Sequence, residues 1–325
     1  MFIVSDNPKE YLVFEDSQIR DAYLGLLGRH PESNEVINQK RQLFNDYSDL
    51  LQDFIKSDEF VETFAAANSR RIRGSMLVNK VQTEVDKPTL QLLFQRTIRQ
   101  WTNLGDVEPY WSVLSSAKFE VETFEQHSEE FWSSGSKILE LIDRIEYEFN
   151  LDFSDGSILE LGCGVGRMTW FLASRARHVI GVDISAGNLA IAQSRVSDQA
   201  DRCELVLLAD FEQLKGPPKL DLFLSFIALQ HNSPPVQSQI LKSCLAQLKL
   251  GGVAVFQVVV GSAGYEFESD RYLASVENQM EMHCLPLTEI LKIFANVGIA
   301  VSSIEPDDWA SDFGLSMTVI GQRVR

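Results

Sequence analysis

The stretch Ser157-Ile158-Leu159-Glu160-Leu161-Gly162-Cys163-Gly164-Val165-Gly166-Arg167-Met168-Thr169 decides the fold of this chain. A short apolar run enters three glycines at alternate positions and then a helix-compatible segment. Glycine accepts the positive φ of a tight turn, and without a Cβ it lets a ligand come close to the backbone. A strand, a glycine turn and a helix in that order open a parallel α/β sheet, whose ligands sit at the carboxyl ends of the strands. The dinucleotide fingerprint Gly-x-Gly-x-x-Gly has its third glycine where Arg167-Met168 stand here, which disfavours an NAD-linked dehydrogenase.

Downstream, the apolar runs Ile158–Leu161, Val179–Val182, Leu205–Leu208, Leu222–Ile227 and Val253–Val260 read as strands buried on both faces. Helical stretches near 167–175, 186–196 and 234–248 separate them, the last opened by Ser233 as N-cap and Pro234 at the first helical position. A helix near Leu287–Asn296, closed by Gly298, precedes two final strands, Ile299–Ile304 and Leu315–Ile320, which can pair antiparallel. The expected architecture is α/β: a Rossmann-like, mostly parallel seven-stranded sheet with an antiparallel terminal strand pair, preceded by a small all-helical domain.

That helical part covers residues 1–98 with its linker. Ile19, Ala22, Tyr23, Leu26 and Leu27 share a helical face that Gly28 can end, a second face runs through Leu43 to Ile55, and Ser57-Asp58-Glu59-Phe60 looks like a cap. The second domain covers 99–325, with lid helices at 99–156, a cofactor-binding core at 157–260 and an acceptor-side insertion at 261–285.

Charge narrows the partners. Residues 1–100 hold 13 Lys/Arg against 15 Asp/Glu, and residues 101–325 hold 16 against 31. Nucleic-acid binding depends on neutralising phosphates, so the acidic second part argues against DNA or RNA and against an anionic membrane surface. The basic run Ser69-Arg70-Arg71-Ile72-Arg73 is too short to reverse this. Cys163, Cys203, Cys244 and Cys284 show neither pairing nor metal-ligand spacing, so no metal is expected, and a reducing cytoplasm is the simplest compartment. The N-terminus lacks a secretory pattern, and no apolar run is long enough for membrane insertion.

Two acids extend the glycine signal. Asp183 ends the run Val179-Ile180-Gly181-Val182, 17 residues after Gly166, where a carboxylate can accept both hydrogens of a ribose diol. Asp210 ends Leu207-Leu208-Ala209, where it can accept from an adenine amino group while Phe211 offers a ring face.

With Glu160-Leu161-Gly162-Cys163-Gly164-Val165-Gly166, Gly181-Val182-Asp183, Ala209-Asp210-Phe211, Leu229-Gln230-His231-Asn232 and Leu248-Lys249-Leu250-Gly251-Gly252 in order, residues 157–260 resemble the class I S-adenosylmethionine-dependent methyltransferases. The resemblance implies S-adenosyl-L-methionine as cofactor. Gly162, Gly164 and Gly166 would line its methionine and ribose, Glu160 its amino-acid end, Asp183 the ribose hydroxyls, and Asp210 with Phe211 the adenine. Cys163 and Ile184 complete that set, and Trp111 and Phe131 would fold over the cofactor as a lid. Leu250 stands where the family often has proline, a departure that touches a turn.

Tyr23-Leu24-Gly25-Leu26-Leu27-Gly28-Arg29-His30-Pro31 with Ser57-Asp58-Glu59-Phe60 resembles a bacterial helical domain found beside glycosyltransferases. This implies a saccharide acceptor and a polysaccharide-assembly partner. His231, directly after the fourth strand, is the expected base, and His283, at the end of the insertion, an expected acceptor contact. Tyr265, Glu268, Arg271, Tyr272 and Glu281 give that insertion a polar and aromatic mix suited to a hydroxylated ligand. The expected reaction is O-methylation of a small hydroxylated acceptor such as a sugar or glycan unit. N- or C-methylation of another metabolite fits the same cofactor site, and a non-catalytic scaffold is the alternative from another class.

Overall fold

A computed structural model describes residues 14–60, 80–217, 219–278 and 280–325. The strands are β1 (Lys80–Val81), β2 (Ser157–Leu161), β3 (His178–Asp183), β4 (Cys203–Leu207), β5 (Leu220–Ser225), β6 (Leu248–Gly261), β7 (Glu266–Phe267), β8 (Ile299–Asp307) and β9 (Leu315–Arg323). Seven of them form one sheet in the order β4-β3-β2-β5-β6-β9-β8. The run from β4 to β6 is parallel, and β9 is antiparallel to both β6 and β8. The expected Rossmann-like sheet with its antiparallel terminal pair is therefore present. Strand order reverses between β2 and β5, and that reversal leaves a crevice beyond their carboxyl ends.

The central strands are continuous apolar runs because helices cover both faces. Ile158, Leu222, Phe223, Val253, Val255 and Phe256 are fully buried. Gln257 interrupts β6, and its polar atoms are all engaged. Its Nε2 donates to Gln230 Oε1 (2.9 Å) and Ser316 Oγ (2.7 Å), and its Oε1 accepts from Ile227 N (3.1 Å). A buried amide in a central strand is tolerable only with such partners.

The N-terminal helices are Asp16–Leu27, Asn34–Leu43 and Tyr47–Lys56. The first ends at Gly28 with φ 65°, as expected. The single helix expected through Leu43–Ile55 is two helices, because Asp46 caps a new start by accepting from Ser48 N. Ser57 Oγ accepts from Phe60 N in the expected cap. These helices share one apolar core with β8 and the helix Leu287–Val297. Gly25 lies so close to β8 that a Cβ there would stand 2.6 Å from Val301 Cγ1. The boundary expected at 98/99 falls inside the unbroken helix Lys87–Val107, which reaches over the sheet as part of the lid.

The insertion after β6 is tied to that same helix. β7 pairs in parallel with β1, and Arg96, 1% exposed, donates to the carbonyls of Tyr272 (2.7 Å), Ser275 (3.1 Å) and Val276 (3.0 Å) and to Glu281 Oε1 (2.6 Å). Glu281 also accepts from Gln100 Nε2 and the Tyr272 hydroxyl. Burial alone would raise the Glu281 pKa; these donors outweigh it and hold it at about 2. The run 69–73 and the first 13 residues lie outside the described residues. Among the described residues no helix is long and apolar enough to cross a membrane.

Candidate active site

A cavity of about 700 Å³ opens at the carboxyl ends of β2, β3 and β5, roofed by the helix Lys87–Val107 and the segments at 112–114 and 134–141. Its floor is the quoted turn. Gly162, Gly164 and Gly166 have φ of 77°, 53° and 79°, which ordinary side chains rarely adopt. Close approach constrains them further: a Cβ on Gly164 would stand 2.6 Å from Val113 Cγ2 of the lid, and one on Gly162 would collide with Ala228. The glycines thus let lid and floor meet, in addition to leaving room for a ligand.

Glu160 is fully buried on the cavity wall. Its Oε2 accepts from Thr169 Oγ1 (2.6 Å), while Oε1 has no partner among the described residues. Burial raises its pKa to about 7. Because this lies above the 4.5 of an unperturbed Glu, the folded state keeps the proton over that window. Stability of the ligand-free protein should therefore fall as pH rises from about 4.5 to 7, and Glu160→Gln should remove that slope in melts run across the window. A slope unchanged in Glu160→Gln would place its origin elsewhere. Arg167 shares the wall, its pKa lowered by burial and opposed by the charge of Glu160.

Asp183 closes β3 with both oxygens in use: Oδ2 accepts from Gly164 N (2.8 Å) and Oδ1 from Ser185 N (2.8 Å). Burial raises its pKa, and these backbone donors oppose the rise. The carboxylate is thereby held rigid on the wall beside Ile184 and Asn188. An orphaned carboxylate oxygen, a glycine floor and a fixed acid at the next strand end fit a ligand with an ammonium group and a ribose diol.

Of the expected site residues, Glu160, Gly162, Cys163, Gly164, Asp183, Ile184 and His231 line the cavity. Gly166 sits behind the floor against Ala192. Asp210 and Phe211 are not on the lining. Asp210 caps a short 3-10 helix by accepting from Glu212 N (2.8 Å), and Phe211 packs on Phe94 at 4.5 Å. Phe94 lines the cavity in its place. Phe131 is fully buried under the lid among Tyr110, Phe119 and Trp132, and Trp111 is off the lining, where its neighbours Ser112, Val113 and Leu114 stand.

His231 packs at a tilt of 54° against Trp101 (4.7 Å between ring centres), a cavity residue that the sequence reading passed over. Its signal was present: Phe94, Thr97 and Trp101 fall at i, i+3 and i+7 on one helical face. His231 Nδ1 lies 3.0 Å from Glu281 O and must carry the proton, leaving Nε2 as acceptor, 3.3 Å from Gln230 Nε2. Burial lowers its pKa to about 4, with the Glu281 carbonyl opposing, so the ring is neutral at physiological pH. Ile227, just before it, has φ 55°, a strained conformation for a β-branched residue, and its N–H is held by Gln257.

His283 is not on the cavity wall, contrary to expectation, nor is the polar set of the insertion. Its Nδ1 meets the Tyr265 hydroxyl at 2.9 Å, and its ring packs edge-on against Phe267 and Tyr272. Tyr272 and Glu281 are occupied by Arg96. The reason is the Arg96 clamp, which folds the insertion onto the lid helix and engages Tyr272 and Glu281, while Glu268 and Arg271 are exposed. His283→Ala is accordingly expected to lower the melting temperature, at a cost of about 2–4 kcal/mol for a buried ring, and to leave acceptor KM alone. A KM change without a stability loss would return His283 to the site.

Residues 158–252 match the family model described as a methyltransferase domain. The chain is 25% identical over 150 residues to the ubiquinone biosynthesis O-methyltransferase of Pseudomonas fluorescens (strain SBW25), covering 43% of this chain and 62% of that protein. It is 27% identical over 152 residues to the protein of the same name from Coxiella burnetii (strain Dugway 5J108-111), covering 44% and 62%. The chain thus spans about three fifths of the length of these curated relatives. Magnesium protoporphyrin IX methyltransferase from Synechocystis PCC 6803, solved with bound S-adenosylhomocysteine, shares the fold at a TM-score of 0.50 and 14% identity, over 70% of this chain and 99% of that one. Over residues 158–252 the chain is thus similar to a methyltransferase domain, and its sheet order is the fold of the Synechocystis enzyme.

Proposed function

We propose that this protein transfers the methyl group of S-adenosylmethionine to a hydroxyl of a small acceptor. The observation that carries the reading is the cavity itself. It joins the glycine floor, Glu160 and Asp183 to a second wall at the end of β5, where His231 and Asn232 stand. Glu160 Oε1, a buried carboxylate oxygen without a partner among the described residues, would take the cofactor's ammonium. Asp183 would take the ribose hydroxyls, and Phe94 with Leu208 would flank the base.

The bound cofactor supplies an electrophilic sulfonium methyl, so the protein's work is alignment and exclusion of water, which can contribute about 7–11 kcal/mol. A neutral His231 presents an Nε2 lone pair that an acceptor hydroxyl could reach by displacing the long contact from Gln230. The names of the curated relatives support oxygen as the atom methylated. A saccharide acceptor and a polysaccharide-assembly partner rest on the resemblance of the N-terminal helices. Incubation with labelled S-adenosylmethionine and separate glycan and phenol panels tests the reading. Label recovered in a base-stable ether supports it, whereas label found only in amines would replace it with N-methylation.

A further inference from the structure

The acceptor side of the cavity is built from three elements that sequence reading did not connect. Phe226 follows β5, Trp309 lies in the turn between β8 and β9, and Leu141 projects from the helix Ile138–Phe149. The Phe226 and Trp309 rings stand 5.0 Å apart at 53°. Trp309 is 47% exposed although it lines a cavity, so it offers an uncovered ring face beside the mouth. A bidentate pair from Arg144 to Glu305 joins the helix to β8 and sets the distance between the walls.

Several polar groups of this wall are already committed. Arg144 also donates to Glu148 (2.9 Å), Thr318 Oγ1 donates to Asp307 Oδ2 (2.8 Å), and Asn232 Nδ2 donates to the Ala228 carbonyl (3.0 Å). A polyol entering here would lose water from several hydroxyls and gain few partners, which is penalised at each group. A flat aromatic ring needs a polar partner only at the oxygen that reacts, and it gains from ring stacking.

Resting on the proposed O-methylation, we infer that the acceptor is a hydroxyaromatic ring, stacked on Trp309 and Phe226 with its hydroxyl toward His231. 2-Naphthol is the probe, titrated against the full chain saturated with S-adenosylhomocysteine, with methyl α-glucoside as the comparison. Wild type should bind 2-naphthol and bind the glucoside at least tenfold more weakly. Trp309→Ala should weaken 2-naphthol about tenfold or more, while Trp309→Phe stays within about threefold. Both variants should keep the wild-type melting temperature and S-adenosylhomocysteine affinity, because this ring is half exposed and lies away from the glycine floor. Preference for the glucoside, or unchanged 2-naphthol affinity in Trp309→Ala, would overturn the inference. A labelled-methyl assay with 2-naphthol separates the two readings: binding without transfer supports the subsite and counts against O-methylation.

Discussion

Asp183→Ala should weaken S-adenosylhomocysteine binding on the order of 10²–10⁴-fold. Hydrogen bonds to a charged group contribute about 1.5–3 kcal/mol each, and a ribose diol would make two. The substitution should also lower stability, because the same carboxylate holds Gly164 N and Ser185 N, so its partners are not the ligand's alone. Asp183→Asn separates the effects, since its one remaining carbonyl oxygen can keep one backbone bond. Calorimetric titration below each variant's melting temperature reads affinity apart from folding. Wild-type affinity in both variants would mean that the ribose is held elsewhere.

His231→Ala carries the other large expectation. If its Nε2 takes the acceptor's proton, the single-turnover rate with saturating cofactor should fall about 10²–10⁴-fold. Cofactor affinity should change little, because the glycine floor and Asp183 belong to other strands. A ring with pKa near 4 is a weak base, so the wild-type rate should show no titration of His231 between pH 6 and 8. A rate loss below threefold would make His231 a packing residue against Trp101, and a rate that follows an ionisation near 6.5 would show that the acceptor reshapes its surroundings.

The sheet and the glycine floor of the cavity were legible because their signals are local. The β2 turn puts its strand, its glycines and the start of the following helix within 13 consecutive residues, and Leu205–Leu208 at β4 and Val253–Phe256 in β6 are apolar runs of four. Asp210 misled for an equally local reason. Asp210-Phe211-Glu212-Gln213 has the spacing of a capping box, and Gln213 Oε1 does accept from Asp210 N. The cap and the adenine contact are indistinguishable until burial is known.

The wall of Phe226, Trp309 and Leu141 was not legible, because it comes together only in three dimensions. Arg144 and Glu305 are 161 positions apart, and the antiparallel return of β9 is what swings Trp309 over the end of β5. The insertion at 261–285 misled through composition. Its tyrosines and acids suit a hydroxylated ligand, yet a buried cation, Arg96 on the lid helix, takes up Tyr272 and Glu281, and Tyr265 is taken up by His283. Neither periodicity nor spacing reports which polar cluster is consumed internally.

The central claim is that the β2 turn and β3 end hold S-adenosylmethionine rather than a dinucleotide. Thermal unfolding of the full chain with S-adenosylhomocysteine, and separately with NAD, each at about 100 times the dissociation constant found for S-adenosylhomocysteine, tests it most directly. Stabilisation by S-adenosylhomocysteine of about 2.7 kcal/mol, with no shift from NAD, is the predicted result. A shift with NAD and none with S-adenosylhomocysteine would contradict the account.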